Sequence, residues 1–158
     1  MMLYDTVLHA IGNTPLIRIN RLNSFDTPVY AKLESSNPGG SVKERISLSL
    51  IEAGEASGEL TSEKIVLEAT SGNTGIGLAM VCAAKGYRCQ LVMPESASLE
   101  RRQIMQAYGA EILLTPAKRS TDGAIEKAYA MAREFPDRYF RFIRLKRTSF
   151  HEGPLFSA

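Results

Sequence analysis

Hydrophobic residues along the middle of the chain switch repeatedly between two patterns. Short runs of β-branched and aliphatic residues are typical of buried strands, and the longer stretches after them repeat at helical spacing. This pattern predicts three strand–helix pairs, in which strands 65–68, 89–93 and 111–114 precede helices 74–85, 99–108 and 123–134. Strands that alternate with helices favour an α/β fold, and we expect a three-layer sandwich around a mainly parallel sheet.

Two strands and one helix are predicted before this series. Residues 16–19 and 28–33 are β-prone, and the loop 34–41 is dense in turn-forming residues. Ser41 and Glu44 have the spacing of a capping box, which predicts that a helix begins there. Apolar residues then recur at helical spacing and predict the buried stripe of this helix: Val42, Ile46, Leu50 and Ala53.

Composition indicates one compact domain and narrows the function classes. With 158 residues, 44% hydrophobic and 23% charged, the chain is long enough to bury a core. Its net charge of +2 gives no reason to expect a nucleic acid or a membrane as partner. The longest apolar run, 76–84, is far shorter than the ~20 residues that cross a bilayer. We therefore expect a cytoplasmic protein.

Charge and cysteine positions refine this picture. Residues 141–158 hold four basic residues against one acidic residue, so we divide the chain into a body, 1–140, and a divergent basic tail, 141–158. Four such charges are a weak indication of nucleic-acid binding. Cys82 and Cys89 fit no metal motif and are expected to be reduced thiols in the core. No metal site is predicted.

A turn of small residues, Thr70 to Gly75, separates the first strand of the series from its helix. The first N–H groups of a helix have no partner within the helix, and the helix dipole adds a partial positive charge there. Such a turn binds anions well. Because ligands of parallel sheets bind beyond the carboxyl ends of the strands, this turn is also in the right place for a ligand.

The turn differs from the two common phosphate-binding motifs. A P-loop requires Lys and Ser or Thr directly after its second glycine, and Leu78 follows Gly77 instead. A dinucleotide fingerprint fits Gly75 and Gly77, but Met80 occupies the position of its third glycine. A nucleotide site and a purely structural turn remain as alternatives at this point.

Lys43 lies in the first turn of its predicted helix. The helix dipole disfavours a positive charge there and therefore favours the free amine, which is the nucleophilic form. Gly39 and Gly40 precede it and let the backbone approach a planar ligand. Taken alone, Lys43 is better interpreted as an ordinary exposed lysine.

Two segments together resemble a known family. Residues 37–45, Asn-Pro-Gly-Gly-Ser-Val-Lys-Glu-Arg, and residues 68–75, Glu-Ala-Thr-Ser-Gly-Asn-Thr-Gly, are similar to motifs of the cysteine synthase family of fold-type II pyridoxal-phosphate enzymes. The similarity extends over residues 4–140 through four further segments: 11–16, 93–96, 100–102 and 108–111.

The resemblance implies a cofactor, pyridoxal 5'-phosphate, and a role for each matched residue. Lys43 would carry the cofactor through a Schiff base, and Asn73 would hydrogen-bond the hydroxyl of its ring. The substrate carboxylate would be held by the turn, through Thr70, Ser71, Gly72, Asn73 and Thr74.

The implied reaction is a β-replacement that converts O-acetylserine and sulfide into cysteine and acetate, with the Lys43 amine removing the α-proton. A cystathionine β-synthase-like reaction of serine with homocysteine is the alternative, although Ser96 and residues 100–102 look more like cysteine synthases. The implied partner is a small amino-acid substrate, and family members are commonly homodimers.

The resemblance covers only the N-terminal half of a fold-type II enzyme, so the chain is expected to be incomplete. After residues 137–140 the usual continuation rich in Gln, Phe, Asn and Pro is absent. The loop that binds the cofactor phosphate and the hydroxyl residue that faces the pyridine nitrogen would lie in the absent half. We expect a truncated or frameshifted product, weak or inactive alone, with apolar surface left uncovered. A catalytically dead fragment that acts as an interaction module is the alternative.

Overall fold

The computed structural model describes residues 3–24 and 26–142. In chain order the strands and helices are β1 (Leu16–Ile19), β2 (Val29–Lys32), α1 (Lys43–Ser57), β3 (Ile65–Ala69), α2 (Asn73–Lys85), β4 (Arg88–Pro94), α3 (Leu99–Ala107), β5 (Glu111–Thr115), α4 (Ser120–Glu134) and β6 (Tyr139–Phe140).

The main sheet has four parallel strands in the order β5-β4-β3-β6. Its register pairs Val66 with Cys89 on one side and with Phe140 on the other. The three predicted strands of the series are confirmed within one residue at most ends. β6 was not predicted, because two residues are too few to show a period.

Side chains from the two faces of this sheet enter separate clusters. On one face Ile65 and Leu67 pack with Ala124 and Ala128 of α4. On the other face Val66 and other strand residues pack with α1, α2 and α3. Helices therefore cover both faces, and the predicted three-layer α/β fold with a parallel sheet is confirmed.

The connections reverse direction at β3. Helices α2 and α3 lie on one face and lead from β3 to β4 and then to β5, whereas α4 lies on the other face and returns the chain to β6, beside β3. Ligands of open parallel sheets bind in the crevice at such a reversal, beyond the carboxyl ends of the strands. The turn after β3 follows the carboxyl end of that strand and adjoins this crevice.

The predicted buried stripe of α1 is wrong at three of its four positions, whereas Leu50 is half-buried and packs against the core. Val42 and Ile46 are 45% and 50% exposed, and Ala53 is exposed as well. The buried residues of this helix are instead Glu44, Ser47, Ile51 and Gly54. The physical reason is local: where Ser47 meets Gly77 of α2 there is no room for a large side chain, and only further along the helix does the buried face take a large aliphatic residue, Ile51.

Strands β1 and β2 form a separate antiparallel hairpin that is mostly exposed. Its register places Ile17 opposite Ala31 and Ile19 opposite Val29, so these four residues share one aliphatic face. Ile17 and Val29 are nevertheless 46% and 43% exposed. A lone two-stranded ribbon is marginally stable, so this face needs a partner.

Helix ends follow the sequence closely, with one exception. Gly86 and Gly109, with φ of 80° and 84°, adopt the left-handed conformation just after α2 and α3. Helix α4 begins at Ser120, three residues before its predicted start at Gly123. None of the helices in residues 3–24 and 26–142 combines the length and apolar character that a membrane-spanning helix requires.

The two cysteines lie in the core, as predicted, and both are free thiols. Cys82 on α2 and Cys89 on β4 are 1% and 5% exposed. A hydrogen bond with Cys89, together with burial, raises the pKa of the Cys82 thiol. Neither thiol is therefore a ready nucleophile.

The first two residues assigned to the basic tail pack against the body. Phe142 is 8% exposed, and its ring meets that of Phe140 edge to face at a centroid distance of 5.0 Å. The Arg141 guanidinium lies 3.5 Å from the centre of the Tyr129 ring. The remainder of the predicted tail, 143–158, lies outside the described residues.

Candidate active site

The starts of α1 and α2 lie side by side. The Ser47 hydroxyl donates to the Lys43 carbonyl at 2.9 Å and lies 3.4 Å from the Thr74 carbonyl oxygen. A Cβ on Gly77 would lie 2.6 Å from Ser47 Oγ and 3.3 Å from the Glu44 Cα. Only glycine at position 77 permits this approach, so it determines how close Lys43 lies to the turn after β3.

The two helices also run in the same direction. An ion pair of 2.7 Å joins Lys85 at the end of α2 to Glu55 near the end of α1, and the Tyr87 hydroxyl donates to the same carboxylate at 3.0 Å. Because the helices are parallel, their N-termini lie at one end of the pair. Lys43 and the segment 70–74 are thereby brought to the same end.

Lys43 is the first residue of α1, and its backbone N–H donates to Ser41 Oγ at 3.1 Å. The side chain is exposed. Within the described part of the chain, its Nζ makes no hydrogen bond or ion pair. The amine is therefore available to a ligand.

Half of the predicted capping box is present, because Glu44 reaches back to Ser41 whereas the Ser41 hydroxyl accepts the N–H of Lys43 and not that of Glu44. The Glu44 carboxylate is 1% exposed and accepts the Ser41 N–H at 2.8 Å. It also accepts the Gly39 N–H at 2.8 Å. A Cβ at Gly39 would lie 3.0 Å from that carboxylate, so glycine is needed there. The loop before Lys43 is fixed by a buried acid.

A second acid, Glu34, anchors the same loop from the other side. Its carboxylate accepts hydrogen bonds from Arg45 at 2.9 and 3.1 Å and from the Thr14 hydroxyl at 2.6 Å. The hydrogen bond from Arg45 is the main reason that the pKa of Glu34 falls from 4.5 to about 2. Sequence reasoning gave Glu34 no role, because its partners lie far away along the chain.

Asn37 joins this network to the turn at residues 11–15. Its side-chain oxygen accepts the Gly12 N–H at 2.8 Å, and its amide donates to the Glu34 and Ser41 carbonyls at 2.8 and 2.9 Å. Asn37 is 4% exposed. The signal that could have found it is its place in the 37–45 motif, which was matched without a role for each residue.

The turn after β3 presents unpaired donors. The Thr70 N–H donates to the Val92 carbonyl at 3.0 Å, and the Gly72 N–H donates to the Thr70 hydroxyl at 3.4 Å. For residues 3–24 and 26–142 the structure records no partner for the N–H groups of Ser71, Asn73 and Thr74. Donors of this kind at a helix start are what an anion site requires.

No group of three or more His, Cys, Asp or Glu side chains converges within the described ranges in a way that could hold a metal ion. The groups that the described residues offer here are the exposed amine of Lys43 and the amide donors of the turn at 70–74.

Comparison with known proteins identifies the family. The profile of the pyridoxal-phosphate dependent enzymes matches residues 7–142. Because this match covers most of the chain, the protein belongs to the pyridoxal-phosphate dependent enzyme family, whose cofactor is pyridoxal phosphate.

Individual relatives lie in the cysteine synthase branch. A cysteine synthase from a Flavobacterium species is 55% identical over 136 residues, which are 86% of this chain and 44% of that protein. The structure of a cysteine synthase from Entamoeba histolytica superposes with a TM-score of 0.85 at 38% identity, over 89% of this chain and 43% of that one. An O-acetylserine dependent cystathionine β-synthase from Helicobacter pylori gives a TM-score of 0.80 at 41% identity, over 88% and 46%. The chain thus spans less than half the length of these relatives.

The residues present fit part of a pyridoxal-phosphate site. The free amine of Lys43 is the group that can bond the carbonyl carbon of the cofactor. The unpaired donors at Ser71, Asn73 and Thr74 match the anionic and hydroxyl groups of a cofactor–substrate pair. The roles assigned to Lys43, Asn73 and the turn at 70–74 stay predictions.

Proposed function

We propose that this chain carries the lysine-bearing half of a cysteine-synthase-type active site, which replaces the acetoxy group of O-acetylserine with sulfide. The single observation that carries the proposal is the junction of α1 and α2. Ser47 and Gly77 bring the amine-bearing helix start against the anion-binding turn.

In this proposal Lys43 has two successive roles. Its Nζ would hold the cofactor and would then act as the base that accepts the proton from the substrate α-carbon. Pyridoxal phosphate, when bound, would supply the electron sink that makes this carbon acidic. In the overall exchange acetate would leave with the electron pair of the C–O bond, sulfide would supply the pair for the new C–S bond, and Lys43 would return the proton to the α-carbon.

The turn holds the substrate while Lys43 moves the proton. N–H groups at Ser71, Asn73 and Thr74, with the Thr70 hydroxyl, bind the substrate carboxylate, and Gly72 lets the carboxylate come close to the backbone. The Asn73 side chain hydrogen-bonds the ring hydroxyl of the cofactor. The substrate class is a small amino acid. We place the reaction in the cytoplasm, where the two core thiols stay reduced.

Cofactor attachment tests the proposal directly. The chain is incubated with pyridoxal phosphate, reduced with borohydride and digested, and the modified lysine is identified by mass spectrometry. We expect a phosphopyridoxyl adduct concentrated on Lys43 that Lys43→Ala removes and Lys118→Ala leaves intact, because Lys118 is equally exposed but lies outside the site. An adduct spread evenly over surface lysines, unchanged in Lys43→Ala, would refute the assignment.

A cystathionine β-synthase-like reaction is the second candidate, favoured by the likeness to the Helicobacter pylori enzyme named above. The two candidates differ in the nucleophile. With O-acetylserine and equal concentrations of sulfide and homocysteine, and the missing half supplied from the Flavobacterium protein, we expect cysteine to exceed cystathionine. The opposite ratio would favour the second candidate.

A non-catalytic interaction module is a third candidate, because the chain spans less than half of its relatives. It predicts that the chain binds a protein partner but forms no specific adduct at Lys43.

A further inference from the structure

The starts of α1 and α2 differ in how their backbone donors are used. Three N–H groups of the turn at 70–74 have no partner within the described chain. Around the start of α1 the chain itself supplies an acceptor to four N–H groups, those of Gly39, Gly40, Ser41 and Lys43. The two neighbouring helix starts therefore offer a ligand unequal numbers of free donors.

The acceptor for two of these groups is the carboxylate of Glu44. One oxygen accepts the Ser41 N–H and the other accepts the Gly39 N–H, each at 2.8 Å. Glu44 is 1% exposed, and no basic side chain forms an ion pair with it in residues 3–24 and 26–142. Arg45, the next residue, is engaged by Glu34 at 2.9 Å. Backbone donors and the positive end of the α1 dipole thus take the place of a cation.

Glu44 also lies where three segments meet. Its carboxylate holds the loop at 39–41, and its chain neighbour is Lys43. Its Cα would lie 3.3 Å from a Cβ on Gly77 of α2. The fit at the loop is tight, since a Cβ on Gly39 would lie 3.0 Å from the carboxylate. A displacement of the Glu44 side chain would therefore alter the loop that leads into Lys43.

We propose that Glu44 is a positioning residue with two tasks at this site. It fixes the loop before Lys43, and it acts as a built-in anion that keeps acidic ligand groups away from the start of α1. A second anion there would find two donors already occupied and would be repelled by the carboxylate. The acidic group of a ligand is thereby directed to the turn at 70–74. The role of Lys43 in this scheme rests on the proposed function, whereas the exclusion of anions from α1 does not.

Anion titration tests the exclusion without any cofactor. Acetate is added to the full chain, with sodium chloride at the same ionic strength as the reference, and the backbone amide signals are followed by NMR. We expect the amide signals of Ser71, Asn73 and Thr74 to shift with acetate, and those of Gly39 and Ser41 to stay in place. Equal behaviour at both helix starts, including no shift at either, would refute the exclusion.

Removal of the carboxylate should open the start of α1. Glu44→Ala frees the two donors and leaves space for formate, the smallest carboxylate. We expect formate to shift the amide signals of Gly39 and Ser41 in this variant and not in wild type. Glu55→Ala is the matched control, because Glu55 is an acid of the same helix whose carboxylate pairs with Lys85 at the other end. Formate should leave the loop signals of this control unchanged.

Cofactor attachment measures the positioning. The rate at which the borohydride-trapped adduct forms on Lys43 should fall at least about tenfold in Glu44→Ala, because the loop loses the acceptor that fixes it. Formate should raise this rate again at least about threefold, whereas chloride should not, and a side chain that only fills space would show no such rescue. Glu55→Ala should stay within about twofold of wild type. Circular dichroism shows whether each variant is folded, and Glu44→Gln, which keeps the size of the side chain but loses one acceptor oxygen, replaces an alanine variant that does not fold.

The outcomes separate the two tasks from the proposed function. An unchanged attachment rate in folded Glu44→Ala, or a lost rate that formate does not restore, would overturn the positioning role. A wild-type chain that forms no specific adduct at Lys43 would refute the proposed function instead. The amide signals of Gly39 and Ser41 would still decide whether Glu44 excludes anions from α1.

Discussion

The contact between Gly77 and Ser47 makes a quantitative prediction about Gly77→Ala. In an ordinary exposed helix this change stabilises by about 1 kcal/mol, because alanine has the higher helix propensity. Here the new methyl group would lie 2.6 Å from Ser47 Oγ, 3.2 Å from Ser47 Cβ and 3.3 Å from the Glu44 Cα. The hydroxyl is tied to the Lys43 carbonyl and the Cα belongs to the backbone, so neither can rotate away.

The cost of overpacking decides whether Gly77→Ala raises or lowers the stability of the chain. Extra methyl groups in tightly packed sites cost about 1–3 kcal/mol, which exceeds the propensity gain. We expect Gly77→Ala to lower the free energy of unfolding by about 1 kcal/mol. For a chain of this length that corresponds to a melting temperature lower by about 2–4 °C.

A double-mutant cycle monitored by urea unfolding provides the assay. Ser47→Ala removes the shortest contact, so it should recover part of the loss in the Gly77→Ala background. The coupling energy should reach at least about 0.5 kcal/mol. Gly77→Ala that stabilises the chain, or two substitutions whose effects simply add, would show that the helices are not held at this distance.

Three further predictions concern the acid, the core and the thiols. The pKa of Glu34 is lowered to about 2 by Arg45, so this acid stabilises the folded state above its unfolded pKa of 4.5, and that contribution disappears as the pH falls towards 2. The Glu34→Gln variant should therefore be less stable than wild type at pH 7. Its free energy of unfolding, measured by urea titration, should fall less than that of wild type between pH 4.5 and about 2. The same pH dependence in both proteins would contradict this reasoning. Ile51→Ala should lower the free energy of unfolding by about 2–5 kcal/mol, since Ile51 is fully buried, and a loss below about 1 kcal/mol would argue against its burial. Cys82 and Cys89 should react with a thiol reagent only as fast as the chain unfolds, and fast labelling of the native protein would refute their burial.

Local patterns were sufficient to predict three of the four strands of the main sheet and the turn after β3. The runs at 65–68 and 89–93 are apolar and short, and each is followed by a helical stretch that ends at glycine. In such segments local preference and tertiary structure agree. The turn at 70–75 was also predictable, because small residues between a strand and a helix leave donors unpaired whatever the rest of the fold does.

Contacts between distant residues were not predictable. The pairing of Glu34 with Arg45 and Thr14 depends on how two loops meet, and no periodicity marks it. The predicted buried stripe of α1 was misassigned for a related reason. Its spacing correctly indicates a helix face rich in aliphatic residues, but periodicity cannot tell whether the rest of the described chain packs against that face.

The parallel packing of α1 and α2 has an electrostatic consequence. Two neighbouring macrodipoles that point the same way repel each other, yet their positive ends reinforce one another at the shared end. The start of α1 and the amides of the turn at 70–74 therefore share one combined field, which favours a negatively charged guest. A variant that tilts either helix away from the other would weaken this attraction.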